Sequence, residues 1–226
     1  NCALKVLLLQ HTHLLGTVAV LNRGGFMTTM RLFMIGSWTE GMMHFSKLAP
    51  FVISYEVAQI EATVYKLPIG FPVLTAEKTQ IIQGQLVELQ FDETLMALVD
   101  TLQGVHPTDP AKGLHIRSKA QVRKSSGQIE TADVYFFNPK KLTSKAEVIT
   151  DAAWKKMLDE NPPLPQTLTD RQRSYVLKLG AVKGRDIVPI QDLTLYRELM
   201  KLELIVDKGR RLALSSLGKE VYKHLL

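Results

Sequence analysis

Between Met30 and Phe137 the chain strings together strand-prone runs and breaks them once, for a single amphipathic helix; no other feature limits the fold as tightly. The run Met30-Arg31-Leu32-Phe33-Met34-Ile35 is apolar and β-prone and ends on Gly36-Ser37, which predicts a buried strand entering a loop. Further strand-like runs cover 56–65, 81–89, 116–123 and 131–137. After Phe91-Asp92-Glu93-Thr94 the apolar residues Leu95, Leu98, Val99 and Leu102 recur at helical spacing, and Gly104 closes the helix. Strands around one helix define an α+β domain over 30–142.

Past Lys140 the composition turns to Lys, Pro and scattered polar residues, with Pro162, Pro163 and Pro165 close together. This predicts a linker over 143–167 holding one short helix near 151–158, with Ala152, Ala153, Trp154 and Met157 on a small apolar face. From 168 to 226 the pattern changes again. Thr169 can cap a helix running through Val176, Leu177 and Leu179 to Gly180. A second helix follows Asp192, with Leu193, Tyr196, Leu199, Met200 and Leu202 on its apolar side. Leu204-Ile205-Val206, Asp207-Lys208-Gly209-Arg210 and Arg211-Leu212-Ala213-Leu214 read as strand, turn and strand, and Ser215 or Ser216 starts a last helix. Helix, helix, hairpin, helix is the order of a small winged-helix domain.

Charge and cysteine content narrow the function classes. A single cysteine, Cys2, excludes an intrachain disulfide and a thiolate metal cluster, which points to a reducing cytoplasm. The net charge is +6, and the segment from Pro165 onward holds 12 Lys+Arg against 7 Asp+Glu, so most of the excess is C-terminal. Residues 1–26 contain no apolar run of membrane length and no convincing signal-peptide pattern. Two readings of 1–26 stand: an ordinary N-terminal helix, or translated leader sequence. In the second, Arg23-Gly24-Gly25-Phe26 is encoded by a purine-rich stretch containing GGAGG, a ribosome-binding sequence, so that translation starts at Met27 or Met30 in a bacterial or phage source.

Four segments in order, Ile35-Gly36-Ser37-Trp38, Tyr65 to Leu74, Ile82-Gln83-Gly84-Gln85-Leu86 and Leu98-Val99-Asp100-Thr101-Leu102-Gln103-Gly104, resemble the gamma-glutamylcyclotransferase-like (AIG2-like) family. The likeness continues through His115-Ile116-Arg117 and Tyr135-Phe136-Phe137. It implies a mixed β-barrel or cradle with a flanking helix. It also implies a small gamma-glutamyl or amino-acid-like ligand, with Ile35, Gly36, Ser37, Trp38, Arg117 and Tyr135 as ligand-binding positions. In the family a tyrosine-glycine-serine turn offers backbone N–H groups to the substrate carboxylate. Here Ile35 takes the tyrosine position.

Gln103 stands where the resemblance implies a catalytic glutamate. Forming 5-oxoproline requires the substrate ammonium to lose a proton and the departing amine to gain one, and a carboxylate can serve both steps. A carboxamide cannot, and losing a general acid-base costs about a hundredfold to ten-thousandfold in rate. Two readings follow: a catalytically impaired ligand-binding protein, or an active cyclotransferase with a relocated carboxylate drawn from Glu40, Glu56, Glu61 or Glu93. His44, His106 and His115 show no metal spacing, His11 and His13 form a lone pair, and nothing calls for a metal or cofactor. In a winged helix the residues meeting DNA would be Thr194, Arg197 and Lys201 on the second helix, with Lys208, Arg210 and Arg211 on the wing. Glu198, Glu203 and Asp207 interleave with them, so DNA contact, protein docking and a solvated charged face all remain open.

Overall fold

A computed structural model of the protein describes residues 28–150, 153–182, 186–209 and 211–226. The two readings of 1–26 and the role expected of Arg210 fall outside the described residues. Strands β1 (Thr29–Met34), β2 (Val52–Lys66), β3 (Pro72–Gln90), β4 (His115–Lys124) and β5 (Ile129–Phe137) pair in the ring order β1–β3–β2–β4–β5–β1, closing a barrel. The β1–β5 contact is parallel and the pairs around the rest of the ring are antiparallel. A short strand β6 (Glu147–Val148) extends β2 at Tyr65 and Lys66.

From Leu32 to Met34 strand β1 is an unbroken apolar run because both of its faces are covered there. Phe33 and Ile35 enter the barrel interior with Ala58, Ile60 and Val134. Alternate residues Leu32 and Met34 face the other way, packing with Leu95 and Val99 of helix α1 (Glu93–Leu102). The Asp92 carboxylate caps α1, accepting from the Leu95 N–H at 2.7 Å. Beyond it, Gly104 takes the left-handed conformation, φ +65.

The structure lengthens one expected strand. A strand over 81–89 is predicted, whereas β3 begins at Pro72, because the exposed stretch Ala76-Glu77-Lys78-Thr79 masks the continuity. There the ribbon bulges: the register jumps from Ala62↔Gln80 to Thr63↔Thr75. The Thr63 hydroxyl holds the bulge by donating to the Glu77 carbonyl at 2.9 Å and pairing with the Thr79 hydroxyl at 2.6 Å.

The segment expected to be a linker packs on the barrel instead. In helix α2 (Trp154–Glu160), Trp154 and Leu158 join the barrel core, and the indole N–H of Trp154 donates to the Gln83 carbonyl at 2.7 Å. A one-turn helix α3 (Leu164–Thr167) leads into α4 (Asp170–Ala181), α5 (Leu193–Lys201), the hairpin β7 (Ile205–Asp207) with β8 (Leu212–Leu214), and α6 (Ser216–Leu225). Thr169 and Gln172 form a capping box at the start of α4. The core of these helices contains Val176, Leu199, Leu204 and Val221, and it also takes in Ile69 and Phe71 from the turn between β2 and β3.

Gly84 allows β1 to lie against β3. A Cβ there would sit 2.5 Å from the Met34 carbonyl oxygen and 2.6 Å from the Phe33 ring. The carbonyl is main chain and cannot step aside, so Gly84→Ala is expected to cost about 1–3 kcal/mol. Urea unfolding measures it, and an unchanged midpoint would contradict this packing.

Candidate functional site

Two halves of the expected site form at one end of the barrel. The first is a single 3₁₀ turn, Gly36–Trp38, directly after β1. Gly36 has φ +64, and a Cβ on it would meet the Pro72 ring at 2.9 Å, so the turn is pressed onto the start of β3 and suits glycine alone. The Ile35 side chain points into the barrel core, which leaves its main chain as what it can offer at the turn. Ser37 is buried, with its hydroxyl 2.8 Å from His44 Nδ1 and its carbonyl accepting the His44 N–H at 2.9 Å. Trp38 stacks on the same imidazole, ring centroids 5.0 Å apart.

The second half lies at the C-terminal end of α1. The Gln103 N–H donates to the Val99 carbonyl at 2.8 Å, and the Gln103 carbonyl lies 2.7 Å from His115 Nδ1, the first residue of β4. Gln103 is 9% exposed as a residue, and its carboxamide, which has no hydrogen-bond partner among the described residues, keeps access to solvent. One turn earlier, Asp100 accepts from the Tyr135 hydroxyl at 2.7 Å and faces the Arg117 guanidinium at 3.4 Å. Sequence alone shows no partner for Asp100; pairing β4 with β5 at Arg117↔Tyr135 supplies both. Burial, followed by the Asp100 hydrogen bond, raises the Tyr135 pKa.

The residue that links the halves comes from the other end of the chain. His224 in α6 lies with its ring 4.6 Å from Phe71 and 5.6 Å from His44, and the charge of both His44 and His115 bears on it. Sequence reasoning misses His224, since no local pattern connects it to residues so far upstream. Desolvation lowers the pKa of His44, His115 and His224 to about 4 each, so all three are neutral at pH 7. Among the described residues no group of three or more His, Cys, Asp or Glu is placed to hold a metal ion, and no helix is long and apolar enough to cross a membrane.

The residues expected to meet DNA lie elsewhere. Thr194, Arg197 and Lys201 are exposed along α5, and Lys208 and Arg211 are exposed on the hairpin. The interleaved acids are engaged locally: Glu198 accepts from the Gln172 amide at 2.9 Å, Glu203 pairs with Lys145 at 3.2 Å, and Asp207 accepts from the Gly209 N–H at 2.7 Å.

Barrel and turn together define a small α+β barrel with a glycine-built cradle at one end. The sequence model for gamma-glutamyl cyclotransferase, AIG2-like proteins matches residues 32–156, more than half of the chain, and the chain belongs to that family. Its structure is similar to YkqA from Bacillus subtilis, at 20% identity and TM-score 0.43, over 58% of this chain and 41% of that one. It is also similar to At5g39720.1 from Arabidopsis thaliana, at 11% identity and TM-score 0.45, over 60% and 87% of the two chains. An AIG2-like protein from Mus musculus matches at 16% identity and TM-score 0.37, over 50% and 81%. The match thus spans less than half the length of YkqA. No curated protein matches the chain.

The neutral histidines make stability depend on acidity. Their folded pKa of about 4 lies below the ordinary imidazole value of 6.5, so the unfolded chain takes up more protons between those limits. Their contribution is complete above 6.5 and is lost as pH falls through that window toward 4. Unfolding free energy should fall on acidification by up to about 1.4 kcal/mol per pH unit for each histidine. His44→Gln should flatten the slope; an unaltered slope would mean that His44 is not held neutral.

Proposed function

We propose that this protein is a cyclotransferase-fold binding protein that holds a small gamma-glutamyl or amino-acid-like ligand without converting it. One observation carries the reading: the group at 103 is a carboxamide at the end of α1 that no other described residue engages. It can accept from or donate to a ligand, but it has no proton to relay between an ammonium and a leaving amine. The main-chain N–H groups of the Gly36 turn suit a ligand carboxylate whatever side chain stands at 35.

No nearby carboxylate makes a ready substitute. Asp100 is engaged by Tyr135 and Arg117. Glu56 is bound to Lys124 at 2.6 Å, and Glu61 faces Lys78 at 3.9 Å. Glu93 sits in the first turn of α1, at the opposite end from Gln103. Glu40 is engaged with Tyr55. The wild type should therefore release no 5-oxoproline from gamma-glutamyl substrates above background. Gln103→Glu should recover part of the hundredfold to ten-thousandfold that a general acid-base contributes, roughly. Wild-type turnover abolished by Glu40→Gln or Glu61→Gln would overturn the reading.

The unit over 168–226 is read as a winged-helix-like module that contacts DNA through α5 and the β7–β8 hairpin, with protein docking as its other role. What supports DNA is the exposed set Arg197, Lys201, Lys208 and Arg211, beside acids that are already engaged. The full chain should bind duplex DNA with an affinity that drops steeply as salt rises. Lys208→Ala with Arg211→Ala should flatten that dependence by about two units on a log–log plot. Absence of binding at low salt would leave docking to a protein.

A further inference from the structure

Strands β2 and β4 meet over two residue pairs, Ala58↔Lys124 and Gln59↔Arg123, and then part. Between His115 and Val122, β4 has β5 as its only ladder partner among the described residues. On the edge turned to β4, β2 has none until β6 joins it at Tyr65 and Lys66. Two strand edges therefore face each other across a wedge, with main-chain donors and acceptors left outside any ladder. Only at the wide end is one taken, where the Val64 carbonyl accepts from the Ile149 N–H at 2.9 Å.

The wedge is a cleft of about 640 Å³ in the barrel wall, and none of its lining residues belongs to the cradle. Gln59, Ile60 and Glu61 form one flank, β4 forms the other, and Phe136 lies behind. Ser118 and Ala120 share the inward face of β4 with Val122, yet they are half-buried where Val122 is fully buried. These small side chains leave the barrel interior within reach of an apolar group entering from outside. Ile81 and Ile129, 62% and 52% exposed, stand at the mouth.

Charge distinguishes one end of the cleft. Lys119 pairs with Asp133 at 2.7 Å, and Lys78 faces Glu61 at 3.9 Å. Arg123, at the point of the wedge, has no counter-charge among the described residues. A chain lying between the two edges cannot run past that point, because β2 and β4 close on each other there. It has to end there, and the chain end that suits an unpaired guanidinium is a carboxylate.

We propose that this wedge captures the C-terminal end of another protein's extended chain, which adds a strand to the barrel wall. The strand runs antiparallel to β2 and parallel to β4, with its terminal carboxylate on Arg123 and an aliphatic last side chain turned toward Ala120 and Phe136. A second copy of β4 does not suit the same edge. Its outward positions are Arg117, Lys119, Gln121 and Arg123, three cations and no acid, which repel their equals across a ladder. The wedge and the cradle are separate, so either reading can fail alone.

Fluorescence polarisation of the full chain with a fluorescein-labelled hexapeptide, Gly-Ser-Thr-Val-Thr-Val with a free carboxylate, tests the proposal. The acid should bind with a Kd below about a millimolar, and the C-terminal amide at least about tenfold more weakly. Arg123→Gln, checked for an unchanged melting temperature, should bring the acid down to the level of the amide and leave the amide unaffected. Methylating the last two main-chain nitrogens of the peptide should weaken it by at least about tenfold, because the edges then lose their donors. Backbone amide resonances should shift within 59–61 and 118–123. Shifts at Gly36–Trp38 or Gln103 instead would put the peptide in the cradle and overturn the proposal. Equal affinity of acid and amide overturns it too, as does acetylvaline binding as tightly as the hexapeptide, or no binding at millimolar protein.

Discussion

The barrel depends on β1 having a partner on each edge, antiparallel β3 on one side and parallel β5 on the other. From Leu32 onward the strand is buried on both faces, and its side chains feed the barrel interior and the layer beneath α1 in alternation. The glycine turn inherits its position from this pairing. Met34 is fixed against Gln85, and two residues later Gly36 touches the Pro72 ring, so the chain has no freedom in where it presents Ser37 and Trp38.

The same geometry leaves three imidazoles at the end of the barrel with no carboxylate named among the charges that bear on them. A carboxylate at 103 would favour the charged form of a neighbouring imidazole, because an opposite charge a few ångströms away offsets desolvation. With a carboxamide there, nothing opposes desolvation strongly enough, and His44, His115 and His224 all sit at about 4. The hydrogen bond from His115 to the Gln103 carbonyl pulls the other way and is the smaller effect.

Much of the barrel was legible in the sequence because period-two burial leaves a mark: Ala58, Ile60, Ala62 and Val64 alternate with exposed neighbours until the bulge at Thr63. The cap at Thr169 was legible for the same local reason. The first part of β3 was not, since its outer residues are polar and only register assigns them to a ladder. Asp100, Tyr135 and Arg117 are separated along the chain and meet through strand pairing, which leaves no spacing to read. His224 reaches the cradle through packing among helices, where side chains from distant segments converge without any sequence signature. The apolar face of α2 was visible, but its acceptor, the Gln83 carbonyl, is main chain and carries no side-chain identity at all.

The turn between β2 and β3 places Ile69 and Phe71 inside the core of the C-terminal helices, and Gly70, at φ +98, leaves no room for a Cβ against Pro163. This has a consequence for how freely the helical unit can part from the barrel. Swinging the helical unit away as a rigid body would strip apolar surface from both sides of a shared core at once, a costly and slow route. The last turn of α6 adds to that seam, because His224 lies against Phe71 and His44 while Tyr222 and Leu225 pack on the shared core.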